Sequence, residues 1–335
     1  MRERYSRQVL FAPIGEAGQE RLLRSSIAVV GCGAIGSTTA ALLARAGVGR
    51  LRIIDRDYVE AGNLQRQSLF DESDARESVP KAIAAEKKLS AANSSIQIAP
   101  QVADLTPANI GELLDGTDLV LDATDNFQTR YLLNDFCVRE KIPWIYAGVV
   151  GSYCVTVNII PQETACLACL YPEPPVSAET CDTVGVLGAA ANLVASIQAA
   201  EAIKFLVGAR AALRRTLFSY DVWSGAHAEV SAAHPDPACR ACGARDFVYL
   251  AGRAHPHITL CGRDSVQIHE RERAVDFAAL ERALRPHGRV KRNEYVLKFW
   301  HGAQELTLFR DGRAIIKGTT DAAAARSLYA RFIGS

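Results

Sequence analysis

Net charge and long apolar runs are both nearly absent from this sequence. The 335 residues carry 38 Lys and Arg against 37 Asp and Glu. The resulting net charge of +1 gives no electrostatic basis for binding nucleic acid or a membrane surface. The N-terminal MRERYSRQVLF lacks the apolar stretch of a signal peptide, and Asn192, Ser196 and Gln198 interrupt the apolar stretch Val184–Ala200. We therefore expect a cytoplasmic protein without a transmembrane helix.

No histidine motif indicates a metal site, whereas cysteine is comparatively abundant. None of the seven histidines has the spacing of a metal-ligand pair, but four of the nine cysteines form two Cys-x-x-Cys pairs. These pairs are Cys166 with Cys169 and Cys239 with Cys242. In a reducing compartment this pattern favours a metal over disulfides, and four thiolates suit tetrahedral Zn²⁺. The alternatives are four unliganded thiols or a redox motif, and a redox motif does not explain the second pair.

The alternation of strands and helices predicts an α/β fold. One βαβ unit spans residues 27–54, and strands and helices continue to alternate up to Gly148. This pattern predicts a doubly wound, mostly parallel, Rossmann-like sheet. Beyond it, Ser152–Pro161 and residues 217–230 predict antiparallel strands, and Gly188–Val207 predicts a long buried helix.

Two domains follow from this pattern. We assign residues 1–250 to the main domain and residues 258–335 to a small α+β domain, in which Asp311-Gly312 between apolar runs predicts a hairpin. The small domain carries no catalytic motif, and Cys261 lies beside a strand and not in a loop of the rhodanese kind. We interpret it as a docking or regulatory module.

The first motif with chemical content is the glycine loop in IAVVGCGAIG. Gly31 and Gly33 permit a tight turn and close approach of a ligand, Gly36 lets the helix pack on its strand, and Ala34 still offers a backbone N–H. The exposed N–H groups at the helix start favour phosphate. Alone, the loop is compatible with NAD, with another nucleotide, or with a turn that binds nothing. Asp55, at the end of the next strand, fits a ribose hydroxyl in either nucleotide.

A polar cluster behind Asp55 distinguishes between these ligands. Asp57 is followed by Asn63-Leu64-Gln65-Arg66-Gln67, and Lys81 stands at the start of a helix. Arg66 and Lys81 supply the fixed cations that a triphosphate needs, whereas NAD leaves this cluster unexplained. Lys81 alone could be a solvated helix residue. The cluster as a whole favours ATP.

A second polar segment, Asp122–Asn126, follows another apolar strand. Ligands of open α/β sheets bind at this edge, so Asp125 is a candidate ligand for Mg²⁺ beside the triphosphate, with Asn126 next to it. The alternative is that the segment only caps the helix that follows.

These motifs occur together and in order, and they carry a resemblance. The set consists of Arg4-Tyr5-Ser6-Arg7-Gln8, GCGAIG, Asn63–Gln67, Lys81, Asp125-Asn126 and the two cysteine pairs. Over roughly residues 1–245 the chain resembles the ThiF/MoeB/HesA family, bacterial relatives of ubiquitin-activating enzymes. Ala34 departs from the family, which often has Gly there, but a backbone contact survives this change.

The resemblance implies an adenylyltransferase. The expected reaction uses MgATP to adenylate the C-terminal Gly-Gly carboxylate of a small ubiquitin-fold sulfur-carrier protein, and it releases pyrophosphate. Carried over by position, Gly33 and Ala34 face the nucleotide and Asp55 the ribose. The residues expected to contact the phosphates are Asn63, Gln65, Arg66 and Lys81. Asp125 is expected to bind Mg²⁺, and the four cysteines are expected to bind structural zinc. Arg7 is expected to reach the partner's ATP site across a homodimer.

Several points stay open at this stage. Cys181 aligns with a cysteine that takes part in sulfur transfer in some relatives, and a persulfide-bearing sulfurtransferase would then be a second partner. The carrier could serve thiamine or molybdenum-cofactor biosynthesis, or the substrate could be a peptide in natural-product biosynthesis. An NAD-dependent oxidoreductase and a non-catalytic scaffold are further alternatives. We expect the remaining cysteines, Cys32, Cys137, Cys154 and Cys261, to be core residues.

Overall fold

The computed structural model describes residues 3–174, 184–253, 259–260, 265–268 and 275–333. Cys181 and Cys261 lie outside the described residues. Contacts divide the chain into two compact units, and each is described by itself. The first comprises Met1–Ser177 with Val184–Ala254, and the second Ala178–Thr183 with His255–Ser335.

A single sheet organises the first unit. Its strands are β1 (Ser26–Val30), β2 (Arg50–Ile54), β3 (Gln97–Gln101), β4 (Leu119–Asp122), β5 (Trp144–Val150), β6 (Tyr153–Ile159), β7 (Thr216–Asp221) and β8 (His227–Ser231). They lie in the order β3-β2-β1-β4-β5-β6-β7-β8, parallel from β3 to β5 and antiparallel from β5 to β8. The predicted mostly parallel sheet with an antiparallel continuation is confirmed.

Helices cover both faces of this sheet. They are α1 (Ser6–Val9), α2 (Gly15–Arg24), α3 (Ala34–Ala46), α4 (Glu72–Glu77), α5 (Lys81–Ala92), α6 (Ile110–Leu113), α7 (Phe127–Glu140), α8 (Leu167–Leu170) and α9 (Gly188–Leu206). Alternate residues of β1 enter different cores: Ile27 and Val29 join one hydrophobic cluster, and Ala28 and Val30 join another. A strand buried on both faces needs this continuous apolar run, which explains why the sequence shows no polar alternation there.

The chain order of the strands creates the edge at which a site can form. From β1 the chain moves outward to β2 and β3, and it then crosses to β4 on the other side of β1. The carboxyl ends of β1 and β4 therefore face a crevice at the point where the strand order reverses. Open α/β sheets bind ligands at such a point.

An antiparallel sheet organises the second unit. Its strands are β9 (Thr259–Leu260), β10 (Ser265–Ile268), β11 (Arg289–Arg292), β12 (Val296–His301), β13 (Gln304–Phe309) and β14 (Ala314–Lys317), in the order β11-β12-β13-β14-β10-β9. Helices α10 (Phe277–Leu284) and α11 (Ala322–Phe332) bury Leu284 and Tyr329 in a core with Phe299 and Leu308. The predicted hairpin at Asp311-Gly312 is confirmed.

Strand β11 was not expected from the sequence. Its four residues, RVKR, lack apolar alternation because it is an edge strand whose charged side chains are mostly exposed. The Arg289 guanidinium lies 3.9 Å from the centre of the Trp300 ring on β12. No described helix in either unit is both long enough and apolar enough to cross a membrane.

Candidate active site and cysteine cluster

The glycine loop joins β1 to α3 with two glycines locked against backbone and one facing open space. Gly31 has φ of +87°, and a Cβ there would stand 2.7 Å from the Ala123 carbonyl oxygen. A Cβ on Gly36 would stand 1.9 Å from the Gly31 oxygen. For Gly33, the nearest described atom would be Gln67 Nε2 at 3.8 Å. The space beside Gly33 can therefore accept a ligand near the first N–H groups of α3.

Asp55 braces this loop from the end of β2. Its Oδ2 accepts a hydrogen bond from the Cys32 N–H at 2.6 Å, and its Oδ1 accepts one from the Asp57 N–H at 2.7 Å. Burial raises the pKa of this carboxyl, and the nearby Lys81 ammonium works against that rise. The predicted contact to a ribose stays a prediction; the bracing of the glycine loop is what the structure adds.

The two predicted phosphate-binding cations are both held by neighbours. Lys81 Nζ lies 3.1 Å from Asp57 Oδ2, and the lysine side chain is only 4% exposed. The half-buried Arg66 donates to Asn63 Oδ1 at 3.0 Å and to the Gly62 carbonyl at 3.0 Å. These contacts fix both cations in place before any ligand arrives, which lowers the cost of binding a phosphate.

The segment after β4 separates one buried carboxylate from one exposed carboxylate. Asp122 is fully buried, and its Oδ1 accepts hydrogen bonds from the N–H and the hydroxyl of Thr124. Burial raises the pKa of Asp122 to about 6. Asp125 is exposed, as a ligand for Mg²⁺ from solvent must be. Asn126 Oδ1 accepts from the Thr129 N–H at 2.8 Å, so this residue caps α7, the alternative that the sequence left open.

Arg130 is a residue of this site that the motifs did not single out. Its Nε lies 3.6 Å from Asp122 Oδ2, and its Nη2 donates to the Thr124 carbonyl at 2.5 Å. The guanidinium also lies over the rings of Phe127 and Tyr146. A cation in the first turn of a helix opposes the helix dipole, and this could have indicated that Arg130 has a specific partner.

The structure does not test the predicted roles of several other residues. Gln65 is exposed, and Arg7 is exposed on the short helix α1. Their roles at a phosphate and across a dimer stay predictions. Cys181 lies outside the described residues. Cys32, Cys137 and Cys154 are at most 1% exposed, which confirms them as core residues.

The four paired cysteines form one cluster. Their Sγ atoms all lie within 4.8 Å of one another. Cys166 Sγ is 3.6 Å from Cys239 Sγ and 3.7 Å from Cys169 Sγ, and Cys169 Sγ is 3.3 Å from Cys242 Sγ. Sulfurs at the corners of a zinc tetrahedron with bonds of about 2.3 Å stand roughly 3.8 Å apart. The cluster fits Zn²⁺, and it joins two segments that are distant in the sequence.

The fold and the polar edge together define a doubly wound α/β protein in which polar residues gather at the switch point of the sheet. A profile of the ThiF family matches residues 5–241. The chain belongs to the ThiF family.

Two relatives carry descriptive names. The sulfur carrier protein ThiS adenylyltransferase of Bacillus subtilis is 43% identical over 338 residues, which cover 100% of both chains. The SAMP-activating enzyme E1 of Haloferax volcanii is 37% identical over 243 residues, which cover 72% of this chain and 88% of that relative.

Solved structures show the same fold. The crystal structure of E. coli MccB with ATP superposes with a TM-score of 0.64 at 24% identity, over 72% of this chain and 74% of that chain. At this level of identity the likeness establishes the architecture alone.

Proposed function

We propose that this protein uses ATP to adenylate the C-terminal Gly-Gly carboxylate of a small ubiquitin-fold sulfur-carrier protein and releases pyrophosphate. The observation that carries the proposal is the similarity to the Bacillus subtilis ThiS adenylyltransferase, which extends over the whole of both chains and so includes the second unit. A ThiS-like carrier is accordingly the substrate that we favour. The acyl adenylate is the activated form from which a thiocarboxylate can be made.

The chemistry suits a site without a catalytic histidine. A carboxylate oxygen of the carrier attacks the α-phosphorus of ATP, the bond from this phosphorus to the bridging oxygen breaks, and pyrophosphate leaves with the electron pair. The nucleophile is already an anion, so no general base is required. Catalysis then rests on positioning and on neutralising the phosphates, which are the tasks that fixed cations such as Lys81 and Arg66 perform.

Magnesium would bind at Asp125. This carboxylate is exposed at the carboxyl end of β4, and oxygen ligands are those that Mg²⁺ prefers. When bound, the ion neutralises charge on the leaving pyrophosphate. Asp122 is less suited to the same task because its complete burial keeps it from an ion in solvent.

Zinc would bind at the four-cysteine cluster in a structural role. All four coordination positions would be filled by thiolates, and a closed tetrahedral site leaves no position for a substrate. We further propose a homodimer in which Arg7 contacts the partner's ATP, and a role for Cys181 with a persulfide-bearing sulfurtransferase. The proposed domains span residues 1–250 and 258–335, and the proposed location is the cytoplasm.

Exchange of radiolabelled pyrophosphate into ATP tests the proposed reaction. The wild-type protein should catalyse the exchange with a ThiS-like carrier that ends in Gly-Gly and should not do so with the same carrier lacking these two residues. Arg66→Ala and Asp125→Ala should abolish the exchange, whereas Arg139→Ala, on the exposed face of α7, should leave it unchanged. If a carrier ending in Gly-Gly gives no exchange, or if Arg66→Ala is as active as the wild type, the proposal is wrong.

A binding measurement separates this function from an NAD-dependent oxidoreductase. A ligand that binds the native state raises the midpoint of thermal unfolding, and the rise grows with the logarithm of the ligand concentration above its dissociation constant. MgATP should raise this midpoint for the wild-type protein, and NAD at the same concentration should not. Stabilisation by NAD alone would favour the oxidoreductase.

A further inference from the structure

Two consecutive residues of α7 contact the chain segments that carry the paired cysteines. Asn134 and Asp135 are both completely buried, although a carboxamide and a carboxylate are costly to bury without partners. Their partners lie on the two chain segments that bring the cysteines together. Each residue therefore has a specific structural task on the side of the helix that faces the cluster.

Asn134 holds the first cysteine pair. Its Oδ1 accepts a hydrogen bond from the Leu167 N–H at 2.8 Å, and its Nδ2 donates to Cys166 Sγ at 3.7 Å. The backbone N–H can only donate, so this contact fixes which end of the carboxamide faces the sulfur. A hydrogen bond to sulfur stabilises the thiolate, the form of cysteine that binds a metal.

Asp135 holds the second pair. Its Oδ1 lies 3.2 Å from Arg240 Nη1, and its Oδ2 accepts from the Tyr249 N–H at 2.9 Å. Arg240 stands between Cys239 and Cys242 in the sequence, so its position determines the path of this knuckle. The guanidinium also lies over the stacked rings of Tyr131 and Tyr249.

The same helix reaches the candidate active site. It begins at Phe127 behind the cap Asn126, and Asp125 directly precedes this cap. Asn126 and Asn134 are eight residues apart, a distance of about 12 Å along a helix. An α-helix of this length behaves as a rigid rod, so tilting its middle would displace the segment that carries Asp125.

We propose that Asn134 and Asp135 are positioning residues that clamp the cysteine cluster to α7, so that a bound metal holds the helix end that carries Asp125. The inference rests on the zinc and magnesium sites proposed above. Residues that hydrogen-bond to metal ligands orient those ligands. Loss of such a hydrogen bond typically lowers metal affinity by roughly 10- to 100-fold.

Asn134→Asp is the most selective variant. The aspartate keeps an oxygen to accept from the Leu167 N–H but replaces the donor to Cys166 with a second acceptor. Asp135→Asn retains an acceptor for the Tyr249 N–H and loses the charge opposite Arg240. Arg139→Ala on the exposed part of α7 is the matched control. Circular dichroism checks that each protein keeps the wild-type secondary structure.

The first measurement is the release of zinc to excess chelator, followed with a chromophoric indicator after metal content has been determined. Asn134→Asp should release zinc about 10 to 100 times faster than the wild type. Asp135→Asn should release it at an intermediate rate, and Arg139→Ala at the wild-type rate. Release from Asn134→Asp at the wild-type rate would overturn the clamp.

The second measurement is MgATP affinity by calorimetry, with zinc present. Asn134→Asp should bind MgATP several-fold more weakly than Arg139→Ala does. Unchanged affinity would overturn the link between the cluster and Asp125. A wild-type protein that retains no zinc would refute the metal site itself, whereas pyrophosphate exchange would still report separately on the proposed reaction.

Discussion

Two glycines of the glycine loop should differ in how the same added methyl group affects stability. The Cβ of Gly36→Ala would stand 1.9 Å from the Gly31 oxygen and 3.1 Å from the Ala123 Cβ. The first conflict is with backbone, so the loop itself must move. The Cβ of Gly33→Ala meets nothing described closer than 3.8 Å, so any conflict there would be with a bound ligand.

The expected magnitudes differ accordingly. Overpacking a fitted site costs about 1–3 kcal/mol, and the backbone conflict places Gly36→Ala at the upper end of that range. A loss of about 3 kcal/mol lowers the unfolding midpoint of a unit of this size by roughly 6–12 °C. Gly33→Ala should lose less than about 1 kcal/mol because it adds no close internal contact.

Thermal unfolding followed by circular dichroism, together with MgATP calorimetry, provides the assay. Gly33→Ala should keep nearly the wild-type midpoint but lose at least 10-fold in MgATP affinity. Gly36→Ala should lose both stability and affinity. If Gly33→Ala binds MgATP as well as the wild type, the open space beside Gly33 is not where the nucleotide lies. If Gly36→Ala unfolds at the wild-type midpoint, the Gly31 carbonyl does not exclude a side chain at position 36.

Three further predictions concern charge and metal. Lys81→Met should slow pyrophosphate exchange by at least about 100-fold, as losing a stabilising donor typically does, whereas the exposed Lys87→Met on the same helix should not. Cys169→Ser should abolish stoichiometric zinc binding and lower the unfolding midpoint, and metal analysis beside Cys154→Ser, outside the cluster, tests this. The Asp122 carboxyl should make stability fall as pH rises from its ordinary pKa of 3.8 to about 6, since only the native state holds the proton in that window. Asp122→Asn should flatten that part of the pH profile, and an unchanged slope would contradict the assignment.

The sheet and the cysteine cluster could be predicted from the sequence because each depends on a strong local pattern. A continuous apolar run such as β1 is needed where a strand is buried on both faces. Two Cys-x-x-Cys pairs have the spacing of zinc ligands, and this spacing can be read directly from the sequence. β11 could not be predicted in this way. Its pairing with β12 is set by tertiary contacts, while its own four residues resemble an exposed loop.

The tasks of individual polar residues were harder to predict than their location. Asp55 and Asn126 lie at the expected edge, but both accept hydrogen bonds from backbone N–H groups: Asp55 from Cys32 on the neighbouring loop, and Asn126 from Thr129 in the first turn of α7. A short polar side chain after a strand can face a ligand or brace the turn, and the sequence is the same in both cases. Only the three-dimensional path of the turn decides between them.

The ion pair between Lys81 and Asp57 bears on how the site could accept a triphosphate. A buried ammonium is costly without a partner, and the Asp57 carboxylate at 3.1 Å is such a partner. An ammonium has three N–H donors, so a contact to Asp57 does not prevent one to a phosphate oxygen. Asp57 therefore holds Lys81 in place, and the backbone hydrogen bond from the Lys81 N–H to the Asp57 carbonyl at 2.9 Å anchors the same pair. A polar cluster that includes carboxylates can thus still favour an anionic ligand, because these carboxylates position the cations and the turns that face it.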